Sequence, residues 1–315
     1  MGILLVGAGS MGIAYASVLK SLNVSFDVFT RSENTALQFE KNTEKKAYFG
    51  ELPSLLQNNH YKKAIVAIDV AYLKDVTKIL LAHGMKEVLI EKPGAMNEAE
   101  LQDLQQAANS VKAGVWIGYN RRFYDSVQTL QTFITEDNPI KSIHFTFTEL
   151  SKRIEQLHNS DELKSNWLFA NSSHVIDLAF YLAGQPTSFH AFTSDALPWH
   201  PDGAIFSGAG VTEKAVLFSY HANWKAPGRW GVEVMTDDYT FILQPLEKLY
   251  KMEHGSFQLQ EVPLQGTDDV TFKPGLFKQV QAFLTTKNGL ITVEEQLLHA
   301  QTIYEKIKKG HQSSS

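Results

Sequence analysis

Glycines at positions 7, 9 and 12 follow the apolar run 3–6 directly and lead into Ala14, Ala16, Val18 and Leu19 at helical spacing. A strand, a tight turn and a helix in that order make an anion site, because the first N–H groups of a helix have no partner within it. Gly7 permits the turn, Gly9 lets backbone approach a pyrophosphate, and Gly12 lets helix and strand pack closely, with Ser10 and Met11 between them. The spacing points to dinucleotide binding; the plainer alternative is an incidental glycine-rich turn. The next strand, 26–29, ends at Thr30, Arg31 and Ser32, and no acid stands where an NAD site usually meets the ribose hydroxyls. A guanidinium pairs bidentately with phosphate oxygens, so Arg31 between two hydroxyls favours NADP over NAD. The alternative is a solvated arginine, with NAD bound without the acidic contact.

A repeating scaffold must hold this turn. Residues 64–68 read as a buried strand, 73–83 as a helix, 87–91 as a strand, 98–109 as a helix and 114–118 as a further strand. Such alternation predicts a parallel, doubly wound sheet whose ligand lies beyond the carboxyl ends of the strands. After Phe123 the rhythm changes. An amphipathic helix carrying Val127, Leu130, Phe133 and Ile134 precedes an alternating strand over 140–148. Strands over 188–193, 204–210, 215–220, 231–236 and 239–243 then predict an open, mainly antiparallel sheet. The expected fold is an α/β Rossmann domain over 1–122 and an α+β substrate domain over 123–310, with a disordered polar tail at 311–315. The closing helices, 277–285 and 293–308, read as packing elements of the second domain.

Composition narrows the partners. The 315 residues exceed most single domains, and 43% hydrophobic with 20% charged residues is ordinary globular chemistry. A net charge of −5 without a dense Lys/Arg cluster argues against nucleic acid. The chain has no cysteine, and its 11 histidines show no HExxH-like spacing, so no metal is expected. The opening apolar run is too short to span a bilayer or to be a signal peptide, which predicts a cytoplasmic protein.

Two strand ends read Glu91-Lys92-Pro93 and Gly118-Tyr119-Asn120-Arg121-Arg122-Phe123, and a later helix opens Ser173-His174-Val175-Ile176-Asp177. With the glycine turn, and in this order, these motifs resemble the Gfo/Idh/MocA oxidoreductases over nearly the whole chain. The resemblance implies that Lys92 and His174 face the nicotinamide and the reacting hydroxyl, with Glu91 and Lys92 in the cofactor site. Taking hydride from a carbinol carbon requires the hydroxyl proton to leave, so a base and a cationic donor both lower the barrier. Which of the two accepts the proton is left open. Tyr119 and Asn120 are implied contacts to substrate or nicotinamide, and Arg121 and Arg122 read equally as structural. Asp177 shares a helical face with His174 and either orients the imidazole or simply favours the helix dipole.

The chain departs from the family pattern twice. Ala170 stands where an aspartate is common, four residues before the histidine; the adjacent Asn171 can hydrogen-bond substrate but cannot take up a proton. Ile68 and Asp69 replace a Thr-Pro-Asn-like turn beside the cofactor. Three further stretches, 152–167, 199–201 and 221–230, offer substrate contacts. In the last, Trp224 and Arg229 suit a stacked ring and a phosphate or carboxylate, against the alternative of a hairpin packing its tryptophans on the sheet. The expected activity is an NAD(P)-dependent oxidoreductase acting on a CH–OH group of a sugar, sugar derivative or nucleotide-sugar. An NAD-dependent glycoside hydrolase of the same family and a non-catalytic NADP-sensing regulator are the alternatives. Apolar content on the open sheet predicts a homodimer or homotetramer.

Overall fold

In the computed structural model, which describes residues 2–310, β1 (Ile3–Val6) is buried along its whole length, as a central strand of a parallel sheet must be. It pairs in parallel with β2 (Phe26–Thr30) on one side and β4 (Lys63–Val66) on the other. β3 (Tyr48–Phe49) extends the sheet beyond β2, and β5 (Glu87–Glu91) and β6 (Gly114–Gly118) extend it beyond β4. The order β3-β2-β1-β4-β5-β6 reverses direction between β1 and β4, where doubly wound sheets take their ligands.

Helices α1 (Ser10–Ser21), α2 (Glu33–Thr43), α3 (Leu52–Asn58), α4 (Val70–Ala82) and α5 (Glu98–Ser110) connect these strands. Side chains of Ser32, Asp69 and Asn97 accept the N–H groups of Thr35, Ala71 and Glu100, so three of the five helices start at a local cap.

The chain divides into two units, and the division differs from the expected one. One unit is Met1–Asn120 with Asp268–Leu298; the other is Arg121–Thr267 with His299–Ser315. Residues 268–298, expected in the second domain, thus return to the first. They carry α10 (Asp268–Thr271), α11 (Leu276–Leu284), β15 (Ile291–Thr292) and most of α12 (Val293–His299). β15 pairs antiparallel with β6, and α11 packs on α1. The buried stripe Leu276, Val280 and Phe283 finds its partner there, Phe283 meeting Trp116 edge-on at 5.9 Å. An amphipathic pattern announces such a stripe without naming what it covers. The expected tail at 311–315 lies outside the described residues.

The second unit is built on β7 (Ser142–Phe147), whose Ile143, Phe145 and Phe147 are buried while Ser142, His144 and Thr146 turn the other way. β8 (Pro186–Ser194), β9 (Ile205–Thr212), β10 (Leu217–Asn223), β11 (Trp230–Met235), β12 (Tyr239–Leu243), β13 (Tyr250–Glu253) and β14 (Gln260–Glu261) complete an eight-stranded sheet, β14-β13-β12-β11-β7-β10-β9-β8. Every neighbouring pair is antiparallel except β7 with β10. α9 (Ser173–Ala183), buried at every residue but Tyr181, covers β7 and β11, and α6 (Asp125–Gln131) packs on β12. A π-helical turn, Leu168–Ser172, leads directly into α9. The short helices α7 (Ser151–Glu155), α8 (Asp161–Ser165) and α13 (Glu305–Lys309) complete the unit.

Candidate functional site

The first unit holds a cavity of about 710 Å³ at the carboxyl ends of β1, β2, β4 and β5. Gly7, Gly9, Ser10 and Met11 line it, as do Thr30, Arg31, Ile68, Asp69, Glu91 and Lys92, so ten of the twelve residues expected around a cofactor meet there. Gly12 and Ser32 act from behind: Gly12 packs against the turn, and Ser32 caps α2.

A dinucleotide fits the glycine turn for a reason visible atom by atom. A Cβ on Gly7 would lie 2.1 Å from the Ala67 carbonyl oxygen, and one on Gly12 would lie 2.1 Å from the Gly7 carbonyl oxygen. These two glycines permit close packing. A Cβ on Gly9 would meet nothing within 4 Å. That open space lies at the N-terminus of α1, whose N-cap is Gly9 itself, so no side chain satisfies the first N–H groups. An anion placed there meets backbone donors and the positive end of the helix dipole.

Around the cavity, Arg31 lies over the ring of Tyr72 at 4.3 Å, and Ser32 Oγ is 2.7 Å from the hydroxyl of Thr35. The carboxylate of Asp69 is engaged in capping α4. Glu91 accepts a 2.7 Å hydrogen bond from the buried hydroxyl of Tyr15, which also lies 3.2 Å from Gln279 Oε1. Burial, and then the charge of Glu91, push the Tyr15 phenol well above its ordinary range, so it stays a neutral donor. Just beyond, the Lys92–Pro93 bond is cis. Gln296, fully buried, donates to the Pro93 carbonyl at 3.0 Å and to the Tyr119 hydroxyl at 2.9 Å. Asn120 donates to the Pro274 carbonyl. Tyr119 and Asn120, expected as ligand contacts, are therefore buried and tied to the returning segment 268–298.

The second unit gathers a different group. His174 is buried in the first turn of α9, with its ring 6.0 Å from that of Trp230, and Arg121 lies over the same tryptophan at 4.9 Å. Asp177 is not placed as expected: its carboxylate receives Arg122 Nε at 2.8 Å and Nη2 at 2.6 Å in a buried, bidentate pair. Burial opposes the guanidinium charge, but the nearby carboxylate outweighs it and holds Arg122 protonated above its ordinary range. Position 170 carries no carboxylate, yet Glu149, just beyond β7, brings one alongside. Ser172 Oγ donates to it at 2.7 Å and Asn171 Nδ2 at 3.2 Å.

Two expected substrate contacts are corrected. Trp224 is only 1% exposed, stacks on Trp199 at 5.6 Å and donates its indole N–H to the Phe147 carbonyl, so it is a packing residue with no free face. His200 packs against the same rings, which places Trp199 and His200 in the core as well, while Pro201 is exposed. Arg229 is exposed in the loop before β11 and offers its carbonyl to Thr146. Glu149, Tyr72, Gln279 and Gln296 were not anticipated. Glu149 lies two residues beyond an alternating strand, and strand ends reward inspection; the two glutamines lie in helices whose sequence carries no such signal.

Comparisons with known proteins agree with this geometry. Residues 1–119 match the GFO_IDH_MocA model, described as an oxidoreductase family with an NAD-binding Rossmann fold. No curated protein matches the chain by sequence. Among solved structures, a dehydrogenase from Clostridium difficile superposes with a TM-score of 0.77 at 19% identity, over 98% of each chain. An oxidoreductase from Agrobacterium radiobacter, solved with NAD+, L-tartaric acid and magnesium, gives 0.74 at 11% identity over 98% of this chain and 96% of that one. A UDP-N-acetylglucosamine 3-dehydrogenase from Acidithiobacillus ferrooxidans gives 0.73 at 14% identity over 98% of each. At such identities the likeness is one of fold.

Proposed function

Because residues 1–119 match the GFO_IDH_MocA oxidoreductase model with its NAD-binding Rossmann fold, we propose that the chain is a member of that family and an NAD(P)-dependent dehydrogenase or reductase acting on a CH–OH group of a sugar, sugar derivative or nucleotide-sugar. The observation that carries this reading is the open space over Gly9, at an uncapped helix N-terminus in the 710 Å³ cavity. The turn 7–12 and the start of α1 hold the pyrophosphate. Arg31, with the hydroxyls of Thr30 and Thr35 beside it in the cavity, reads a 2′-phosphate, which makes NADP the preferred cofactor.

When bound, the nicotinamide supplies the carbon that gives or takes hydride. Lys92 holds a positive charge and three donors at the end of β5, where it stabilises a developing alkoxide. His174 exchanges the hydroxyl proton, since an imidazole titrates near neutral pH. Glu91, held by Tyr15, fixes the strand end that carries Lys92; Gln296, through Pro93, fixes the residue after it. The exposed Phe192 and Leu217 on the second sheet support a homodimer or homotetramer through that face, which light scattering at micromolar concentration tests.

The deciding experiment is a fluorescence titration of the purified protein with NADPH and NADH. Tight binding with NADPH preferred, lost selectively in Arg31→Ala, is the expected result. Binding of neither nucleotide overturns the enzyme reading, and equal weakening of both by Arg31→Ala overturns the assignment of Arg31.

A further inference from the structure

Arg31 and Tyr72 reach the same cavity from different strands. Arg31 follows β2, Tyr72 sits in the first turn of α4 after β4, and the arginine's guanidinium carbon is 4.3 Å from the centre of the tyrosine ring. Tyr72 is 44% exposed and lines the cavity. Among the described residues no carboxylate lies within salt-bridge distance of Arg31, although Asp69 and Glu51 line the same cavity. Asp69 is committed to the Ala71 N–H, an interaction that also anchors the turn carrying Tyr72.

We propose that Tyr72 is a positioning residue for cofactor specificity: by holding Arg31 over its ring, it pre-orders the guanidinium for the 2′-phosphate of NADP. This rests on the NADP reading above and adds to it the residue that makes the arginine selective.

A long arginine side chain loses much rotamer freedom when it engages a ligand, and a side chain already stacked has lost part of that freedom beforehand. A guanidinium attracted through its π face to an aromatic ring also keeps its N–H edge for phosphate oxygens, so the two contacts do not compete. The hydroxyl of Thr35, which lines the cavity and lies 2.7 Å from that of Ser32, adds a donor of the kind a phosphate needs. A ring that only walled the adenine would serve NAD and NADP alike, and this difference makes the proposal testable.

The test is titration of the full chain with NADPH and with NADH, comparing wild type, Tyr72→Phe, Tyr72→Leu, Arg31→Ala and the double variant Arg31→Ala/Tyr72→Leu. A cation–π contact corresponds to roughly 2- to 30-fold in affinity, from an exposed site to one that the bound nucleotide desolvates. Tyr72→Leu is expected to weaken NADPH by that factor and to leave NADH within about twofold. Tyr72→Phe keeps the ring and is expected to bind both nucleotides like wild type. In the Arg31→Ala background, Tyr72→Leu is expected to add no further loss of NADPH affinity, because its effect runs through the arginine.

Equal weakening of NADPH and NADH by Tyr72→Leu overturns the proposal and makes the ring a platform for the base. An unaltered Tyr72→Leu beside an NADPH-selective loss in Arg31→Ala overturns the role of Tyr72 while the NADP reading stands. If Arg31→Ala itself fails to discriminate, the NADP reading falls, and the proposal with it. Tyr72 is half-exposed, so the leucine variant is expected to melt at the wild-type temperature.

Discussion

Replacing Gly9 with alanine separates binding from folding more cleanly than any other change in the glycine turn. A Cβ there meets no atom within 4 Å, and φ is −78°, which any residue adopts. Alanine restricts the unfolded chain, a gain of about 0.4–1 kcal/mol, and is a poorer N-cap than glycine by a similar amount, so stability changes by less than about 1 kcal/mol. The methyl group instead occupies the space above the first N–H groups of α1. A hydrogen bond to a charged group contributes about 1.5–3 kcal/mol, so displacing the pyrophosphate from one of them costs about that much, or roughly 10- to 150-fold in Kd. Gly12→Ala is the opposite case: its Cβ would lie 2.1 Å from a backbone oxygen that cannot move freely, and a loss of about 3 kcal/mol or more in stability is expected. Thermal melting and nucleotide titration of both variants read the two effects. Wild-type NADPH and NADH affinity in a folded Gly9→Ala protein would refute the reasoning, as would a wild-type melting temperature for Gly12→Ala.

Lys92→Ala and His174→Ala are each expected to lower kcat by about two orders of magnitude or more, with nucleotide affinity little changed; full turnover in either removes that residue from the chemistry. Asp177→Asn leaves Arg122 buried without its carboxylate, and urea unfolding is expected to show a loss of about 3–5 kcal/mol; a loss below about 1 kcal/mol would mean the pair is dispensable. His200 is held below its ordinary pKa chiefly by burial, so as pH falls the unfolded chain takes up the proton first. Its contribution to stability is therefore complete above about pH 6.5 and is lost as the pH drops from there toward the folded-state value. His200→Gln is expected to flatten the decline in melting temperature between pH 7 and pH 5, and an unchanged decline would sink this assignment.

What the sequence by itself determined is what depends on near neighbours. The strand, glycine turn and helix at 3–21 form one local unit, and so do the caps at Ser32 and Asp69, because each joins residues a few positions apart. Alternation of strands and helices likewise sufficed for the doubly wound sheet, and strand ends sufficed for most of the cavity lining. Tertiary structure alone decided who partners whom. Asp177, read beside His174 from a helical spacing of three, is claimed by Arg122, 55 residues away. Trp224 carries the same indole whether it stacks on a ligand or on Trp199, and only packing chose the latter. The apolar stripe of α11 predicted burial, yet its return to the first unit depended on α1 and β6 presenting a complementary surface, with Gln279 and Gln296 supplying the hydrogen bonds. Periodicity records that a face must be covered; the covering surface comes from residues remote in the chain, and no local pattern encodes that pairing.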